Sequence, residues 1–275
     1  MLIYLFPLFK NSILPKLMKR LILLFSLLNF TVQAQQKVNW PYHKKAVIVL
    51  TYDDALNSQL NVAIPQLDST HLTATFFLMG DINSETIPKW REVSKKGYEL
   101  ANHTIYHPCI SKNDNPTASE NYTVFTIIRE IGTMNILLNA VDGKTTRTYA
   151  YPCTETSVGG KSYVDSLRKS GLIKYARIGG DKDAFISDFK NLDPLLVPSY
   201  GLEGKNTGDE LIAFVKKVQQ SGGMGIFMFH GVGGDYITTP AEAHKELLAY
   251  LKKNRKEIWV ATFQQAMDYV TRANK

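Results

Sequence analysis

The chain has 275 residues, 44% of them hydrophobic and 21% charged, with a formal net charge of +7. This composition excludes a collagen-like, repeat-built or intrinsically disordered chain and suits one large α/β domain or two small ones. Four of the cations (Lys10, Lys16, Lys19, Arg20) fall in the first 34 residues, which carry no acid, leaving 28 cations against 25 acids and no basic run that would argue for nucleic acid.

Residues 1–34 read as an export signal: a basic stretch, an apolar run at 21–28, then Val32-Gln33-Ala34 before a cut. Met18-Lys19-Arg20 reads as a second possible start. The run is short for a bilayer span; an uncleaved anchor is the alternative. The expectation is a single domain at 35–275, exported to the periplasm or secreted, with no membrane insertion after cleavage. Nothing in the sequence speaks to oligomeric state.

Apolar, β-branched runs predict strands at 46–52, 74–78, 98–101, 148–151, 174–178, 195–199, 224–229 and 258–262. Amphipathic stretches between them predict helices at 57–67, 87–96, 119–138, 162–170, 209–220 and 241–253. This alternation predicts a parallel sheet with helices outside. Eight such units fit an α/β fold of the (β/α) barrel kind. An open doubly wound sheet competes, but no glycine-rich phosphate fingerprint follows the first strand.

Three strand ends carry candidate chemistry. Asp53-Asp54 closes the first strand, where paired carboxylates divide between holding a cation and moving a proton; an Asp N-cap is the bland account. His103-Thr104-Ile105-Tyr106-His107 places two imidazoles i, i+4 on one side of a helical turn. Two histidines and a carboxylate make a recurrent zinc set. His230 ends the strand at 224–229 and suits a general acid. A fourth strand end, Tyr151-Pro152-Cys153, offers a groove wall and a backbone N–H for an oxyanion. His43, His71 and His244 read as surface residues. Cys109 and Cys153 are either bridged or two buried thiols.

The set Thr-Tyr-Asp-Asp, Ala-Thr-Phe-Phe-Leu-Met-Gly (74–80), His-Thr-x-x-His and Met-Phe-His resembles the polysaccharide deacetylase family, also called the NodB-homology or carbohydrate esterase 4 family. The resemblance spans nearly all of 35–275, in the family's order. It implies a distorted (β/α)7-8 barrel and removal of N- or O-linked acetyl groups from an acetylated carbohydrate. By resemblance, Asp53 is the base, His230 the acid, and Asp54, His103 and His107 the ligands of a divalent metal, zinc first, with cobalt or nickel also fitting. Met228 takes the place beside the acetyl pocket and the Cys153 N–H that of an oxyanion donor. One departure stands out: the third-motif arginine is Ala150 here, and its usual aspartate partner and the pocket tryptophan are also missing. Arg147, Arg177, Asp181 and Asp183 are the candidate substitutes. Two other readings remain at this stage: a carbohydrate-binding pseudoenzyme, and a hydrolase of a non-sugar amide.

Overall fold

The strands are set by runs that can be buried on both faces. In a computed structural model that describes residues 38–111 and 115–273, β1 (Ala46–Asp53) is buried at all eight positions. The expected export signal at 1–34 lies outside the described residues. A helical stretch at Gln59–Ala63 runs into α1 (Ile64–Thr70), followed by β2 (Thr75–Leu78), α2 (Ile87–Lys95) and β3 (Glu99–Asn102). Then come α3 (Val124–Asp142), β4 (Thr148–Ala150), α4 (Val164–Ser170) and β5 (Tyr175–Arg177). The chain ends with β6 (Tyr200–Gly201), α5 (Gly208–Ser221), β7 (Met224–Phe229), α6 (Ala241–Lys253), β8 (Ile258–Ala261) and α7 (Phe263–Ala273).

The main sheet is parallel throughout, in the order β5-β4-β3-β2-β1-β7-β6, with β8 also on β1. One edge of β1 is shared: residues 46–49 pair with β8 and 51–53 with β2. The sheet curls because one segment meets both ends of the order. Val197 bridges to Arg177, and Tyr200 and Gly201 pair with Phe227 and Met228. This is the distorted (β/α) barrel of the NodB type. The strand expected at 195–199 is displaced to Tyr200–Gly201, because the segment divides its hydrogen bonds between two neighbours and builds a long ladder on neither.

Alternation along β1 sorts its side chains. Val47 and Val49 pack inside with Phe77, Ala101, Ala150, Tyr175 and Ile226. Ala46, Ile48, Leu50 and Tyr52 face the helices. Asp53 continues the inward series and so points into the barrel at its C-terminal mouth, where barrel sites form.

Two further expectations change. α7 was not anticipated, although Phe263, Ala266, Met267 and Val270 form its buried face at helical spacing. Its N-terminus meets the buried Glu99 carboxylate, which accepts the Gln264 N–H at 2.9 Å, as a helix dipole favours. His244 is not a surface residue but fully buried. Its Nδ1 donates to Gln66 Oε1 at 2.6 Å, and its Nε2 therefore accepts from the Tyr52 hydroxyl at 2.7 Å. Tyr52 precedes Asp53 and faces the helices, so the buried hydroxyl needed a partner there.

Burial pushes the His244 imidazole down from 6.5 to about 3. Between those values the unfolded chain takes up a proton that the native protein refuses, so stability falls as pH drops through that window. Urea midpoints measured at stepped pH should show this, and His244→Gln should flatten the acid limb by about one proton's slope.

Candidate active site

The mouth is built from inward positions at neighbouring strand ends. Asp53 ends β1, His103 follows β3, Ala150 ends β4, Arg177 ends β5 and Met228 lies near the end of β7. Parallel register sets them at one height. Thr51 pairs with Met228 and Ala150 with Arg177.

Asp54, His103 and His107 converge with one ligand atom each. Asp54 Oδ1 lies 3.2 Å from His103 Nε2 and 3.3 Å from His107 Nε2, and the two imidazole nitrogens are 3.1 Å apart. Ligand atoms of a tetrahedral ion with bonds of about 2.0–2.2 Å are separated by roughly 3.4 Å, so the triangle fits a zinc-sized divalent cation. The donor chemistry fits as well. Asp54 Oδ1 is buried and receives no hydrogen bond. The His103 Nδ1–H donates to the Ala150 carbonyl at 2.8 Å, which turns the Nε2 lone pair toward the triangle. Burial and the neighbouring His103 push His107 down to about 4, keeping it neutral near pH 7. Burial opposes ionisation of Asp54, but His103, His107 and the Tyr236 hydroxyl outweigh it and hold the carboxyl below the usual range. Burial also opposes a charge on His103, yet the adjacent carboxylates of Asp54 and Asp53 and the Ala150 carbonyl outweigh it and raise it overall.

The His-x-x-x-His segment is not the helical turn its spacing suggested. It is a loop in which Thr104 (φ 68°) and His107 (φ 50°) are left-handed, and that folding brings the imidazoles together. Several contacts hold it. Asn102 Oδ1 accepts the Thr104 N–H and Thr104 Oγ1 accepts the His107 N–H. Glu130, on α3, accepts the Ile105 and Tyr106 N–H groups at 3.0 and 2.9 Å through one oxygen and the Tyr122 hydroxyl through the other. Gly80 donates to the Ile105 carbonyl, and a Cβ there would lie 2.6 Å from that oxygen, which accounts for the glycine closing the 74–80 motif. Glu130 could not be found from spacing: it reaches the loop from a helix more than twenty residues on.

Asp53 is held by Arg177. Nη2 donates to both carboxylate oxygens at 2.6 and 2.5 Å, while Nη1 donates to Ser199 Oγ at 3.2 Å and the guanidinium lies 5.0 Å from the Phe77 ring centre. Among the four candidate substitutes for the arginine absent at Ala150, Arg177 is thus the one on the carboxylate. Arg147 precedes β4 at the opposite barrel end and pairs with Asp142. Asp183 faces Lys217 at 3.9 Å and Asp181 lines a cleft. Removing the cation from a buried pair of this kind costs roughly 3–5 kcal/mol, because the carboxylate is left uncompensated.

His230 Nε2 lies 3.8 Å from Asp54 Oδ2. Gln59, fully buried, donates to the Asp53 and His230 carbonyls at 2.5 and 3.1 Å and so ties the ends of β1 and β7. Beside His230 and Met228 opens a cleft of about 670 Å³, lined also by Tyr200, Leu202, Lys182 and Asn206. Tyr151 points elsewhere: its ring is buried against Tyr149 and Tyr163, so only its backbone belongs to the mouth. Pro152 is buried after it, and Cys153 is exposed in a left-handed conformation (φ 49°). Cys153 and Cys109 form a disulfide, with Cα atoms 5.7 Å apart. The bridge fastens the β4 rim to the loop of His107, whose Nδ1 is 3.4 Å from Cys109 Sγ.

A curled parallel sheet with an aspartate–histidine triad and a second, arginine-held aspartate at its C-terminal mouth defines a (β/α) barrel with candidate metal-binding residues. Residues 41–170, just under half of the chain, match the sequence pattern of the polysaccharide deacetylase family. The chain is 35% identical over 74 residues to a peptidoglycan-N-acetylglucosamine deacetylase of Bacillus cereus, a match that covers 26% of this chain and only about a quarter (26%) of that protein. A structure assigned as a polysaccharide deacetylase from Mycobacterium smegmatis superposes with a TM-score of 0.62 at 17% identity, over 86% of this chain and 93% of that one. Peptidoglycan deacetylase PdaC of Bacillus subtilis gives 0.55 at 19% identity, over 82% and 92%.

The two loop N–H groups on Glu130 yield a prediction. Glu130→Gln replaces a charged acceptor by a neutral one and should weaken zinc binding roughly 10- to 100-fold, as loss of a ligand-orienting contact does. Competition with a chromogenic chelator measures it.

Proposed function

We propose that the protein is a metal-dependent hydrolase that removes acetyl groups, N- or O-linked, from a carbohydrate polymer or oligosaccharide. The observation that carries this reading is a pair of features at one mouth: a cation-sized triangle with an orphaned carboxylate oxygen, and Asp53 fixed beside it by Arg177. Asp54, His103 and His107 would hold the ion. Zinc suits this donor set, and cobalt or nickel also fit it. When bound, the ion supplies Lewis-acid polarisation of the acyl carbonyl and makes a nearby water more acidic.

The chain's own groups do the rest. Asp53 is 3.9 Å from His103 Nε2 through Oδ2, close enough to serve a water at the triangle as general base. Arg177 fixes both of its oxygens, so the base is pre-set rather than mobile. The Cys153 N–H, on the rim that the disulfide fastens, would donate to the oxyanion as the carbonyl becomes tetrahedral. His230 protonates the departing amine or alcohol, and Met228 walls the methyl of the acetyl group. The cleft beside them gives the sugar a polar bed of Lys182, Asn206 and Tyr200.

The pseudoenzyme reading rested on Ala150. With Arg177 bonded to Asp53, the cation thought missing is supplied from the next strand, which supports the active enzyme. The disulfide supports an exported location, since such bridges persist in oxidising compartments.

Acetate release from acetylated chito- and xylo-oligosaccharides, with and without chelator, is the test. Activity should vanish on chelation and return with zinc or cobalt; unchanged activity in metal-stripped protein would sink the reading. Asp53→Asn should lower kcat on the order of 10²–10⁴-fold with metal still bound. Arg177→Lys keeps the charge but not the planar guanidinium, and should fall well short of wild-type turnover.

A further inference from the structure

Tyr236 stands in the glycine-rich loop after β7, outside every motif that the sequence reading used. Its hydroxyl donates to Asp54 Oδ2 at 2.5 Å. That is the carboxylate oxygen facing away from the triangle, since Oδ1 is the atom near both imidazoles. Its ring centre lies 6.1 Å from that of His230, and the residue is still 52% exposed.

The loop spends conformational energy to hold this pose. Asp235 (φ 60°) and Ile237 (φ 45°), on either side of Tyr236, are both left-handed. A β-branched residue rarely adopts that region, and such strain persists only where the surroundings impose it. Here they do. The Ser58 N–H donates to Asp235 Oδ2 at 2.8 Å and the Val232 N–H to Ser58 Oγ at 3.2 Å. The Gly231 N–H donates to the Tyr236 carbonyl at 3.2 Å, and the Thr239 N–H to the Gly231 carbonyl at 2.9 Å. A half-exposed tyrosine gains nothing from being pinned in this way by packing alone. What it reaches is a carboxylate that has two oxygens and a triangle that uses one.

We propose that Tyr236 is a positioning residue of the metal centre: by occupying Asp54 Oδ2 it makes Asp54 a one-oxygen ligand and leaves a coordination position open on the substrate side. A carboxylate free to turn offers both oxygens to a cation and closes the position that an acyl group needs. A hydroxyl on the outer oxygen forbids that turn, in the way partners of ligating carboxylates commonly tune a site.

The inference rests on the reading of Asp54, His103 and His107 as metal ligands, and the experiment separates the two. Zinc affinity of the full chain is measured by competition with a chromogenic chelator for wild type, Tyr236→Phe and His103→Ala. Cobalt-substituted protein gives the coordination number from its visible spectrum. Tyr236→Phe keeps the ring and should fold as wild type, which an unchanged metal-free melting temperature checks. The expected result is a change in zinc affinity of about tenfold or more and a cobalt spectrum that moves toward higher coordination. Tyr236→Ala at saturating metal should show the same spectral change. An affinity within about twofold of wild type with an unchanged cobalt spectrum overturns the proposal. If His103→Ala also keeps wild-type affinity, the metal-site reading itself fails; if only His103→Ala loses zinc, that reading stands and the role of Tyr236 does not.

Discussion

Two adjacent aspartates end a buried strand, and their mutual repulsion is the constraint around which the mouth is arranged. Neither Asp53 nor Asp54 can be left as an unpaired charge in so dry a place. The chain resolves this by giving them different partners. Asp53 takes a guanidinium on both oxygens. Asp54 takes the Tyr236 hydroxyl on one oxygen and faces two imidazoles with the other. The two side chains are chemically identical, so the proposed division of labour into base and ligand would come from these different surroundings.

Around that division, irregular backbone does the aiming and regular structure does the holding. Asp54, Thr104, His107, Cys153 and Asp235 all lie just beyond strand ends and all have positive φ. Each such residue costs energy that a smooth loop would not. The cost is offset by anchors on rigid elements: Gln59 between the ends of β1 and β7, Glu130 from α3 under the histidine loop, and the Cys109–Cys153 bridge across the rim. None of these anchors touches the triangle with its own side-chain atoms except the bridge, whose Cys109 sulfur meets the back of His107.

What could be read in the sequence was what periodicity carries. The alternation of apolar runs and amphipathic stretches gave the parallel sheet, and strand ends gave Asp53, Asp54, His103 and His230 a common face. The i, i+4 spacing of His103 and His107 led to the right pairing through the wrong geometry, because a loop and a helix can both close that distance. Pattern was silent where a long-range contact decides. His244 looked like a residue of an exposed helix face because its partners, Tyr52 and Gln66, lie 192 and 178 positions away in the chain. Glu130 and Tyr236 carried no local signal for the same reason.

Arg177 shows the physical form of this lesson. Ala150 and Arg177 are register partners on adjacent parallel strands and point to the same side. Strands lie about 4.8 Å apart, and a long flexible arginine spans that offset easily. A cation can therefore move from one strand to the next and still reach Asp53. Once it sits at 177, a second guanidinium at 150 would meet it side by side, and two like charges in a buried mouth repel. A small neutral residue at 150 follows from the arginine at 177. Its carbonyl is still used, by the His103 Nδ1–H, and a backbone oxygen does that work whatever the side chain. The quantity preserved is a position in space beside the carboxylate, so an apparent motif loss and an intact ion pair describe the same site.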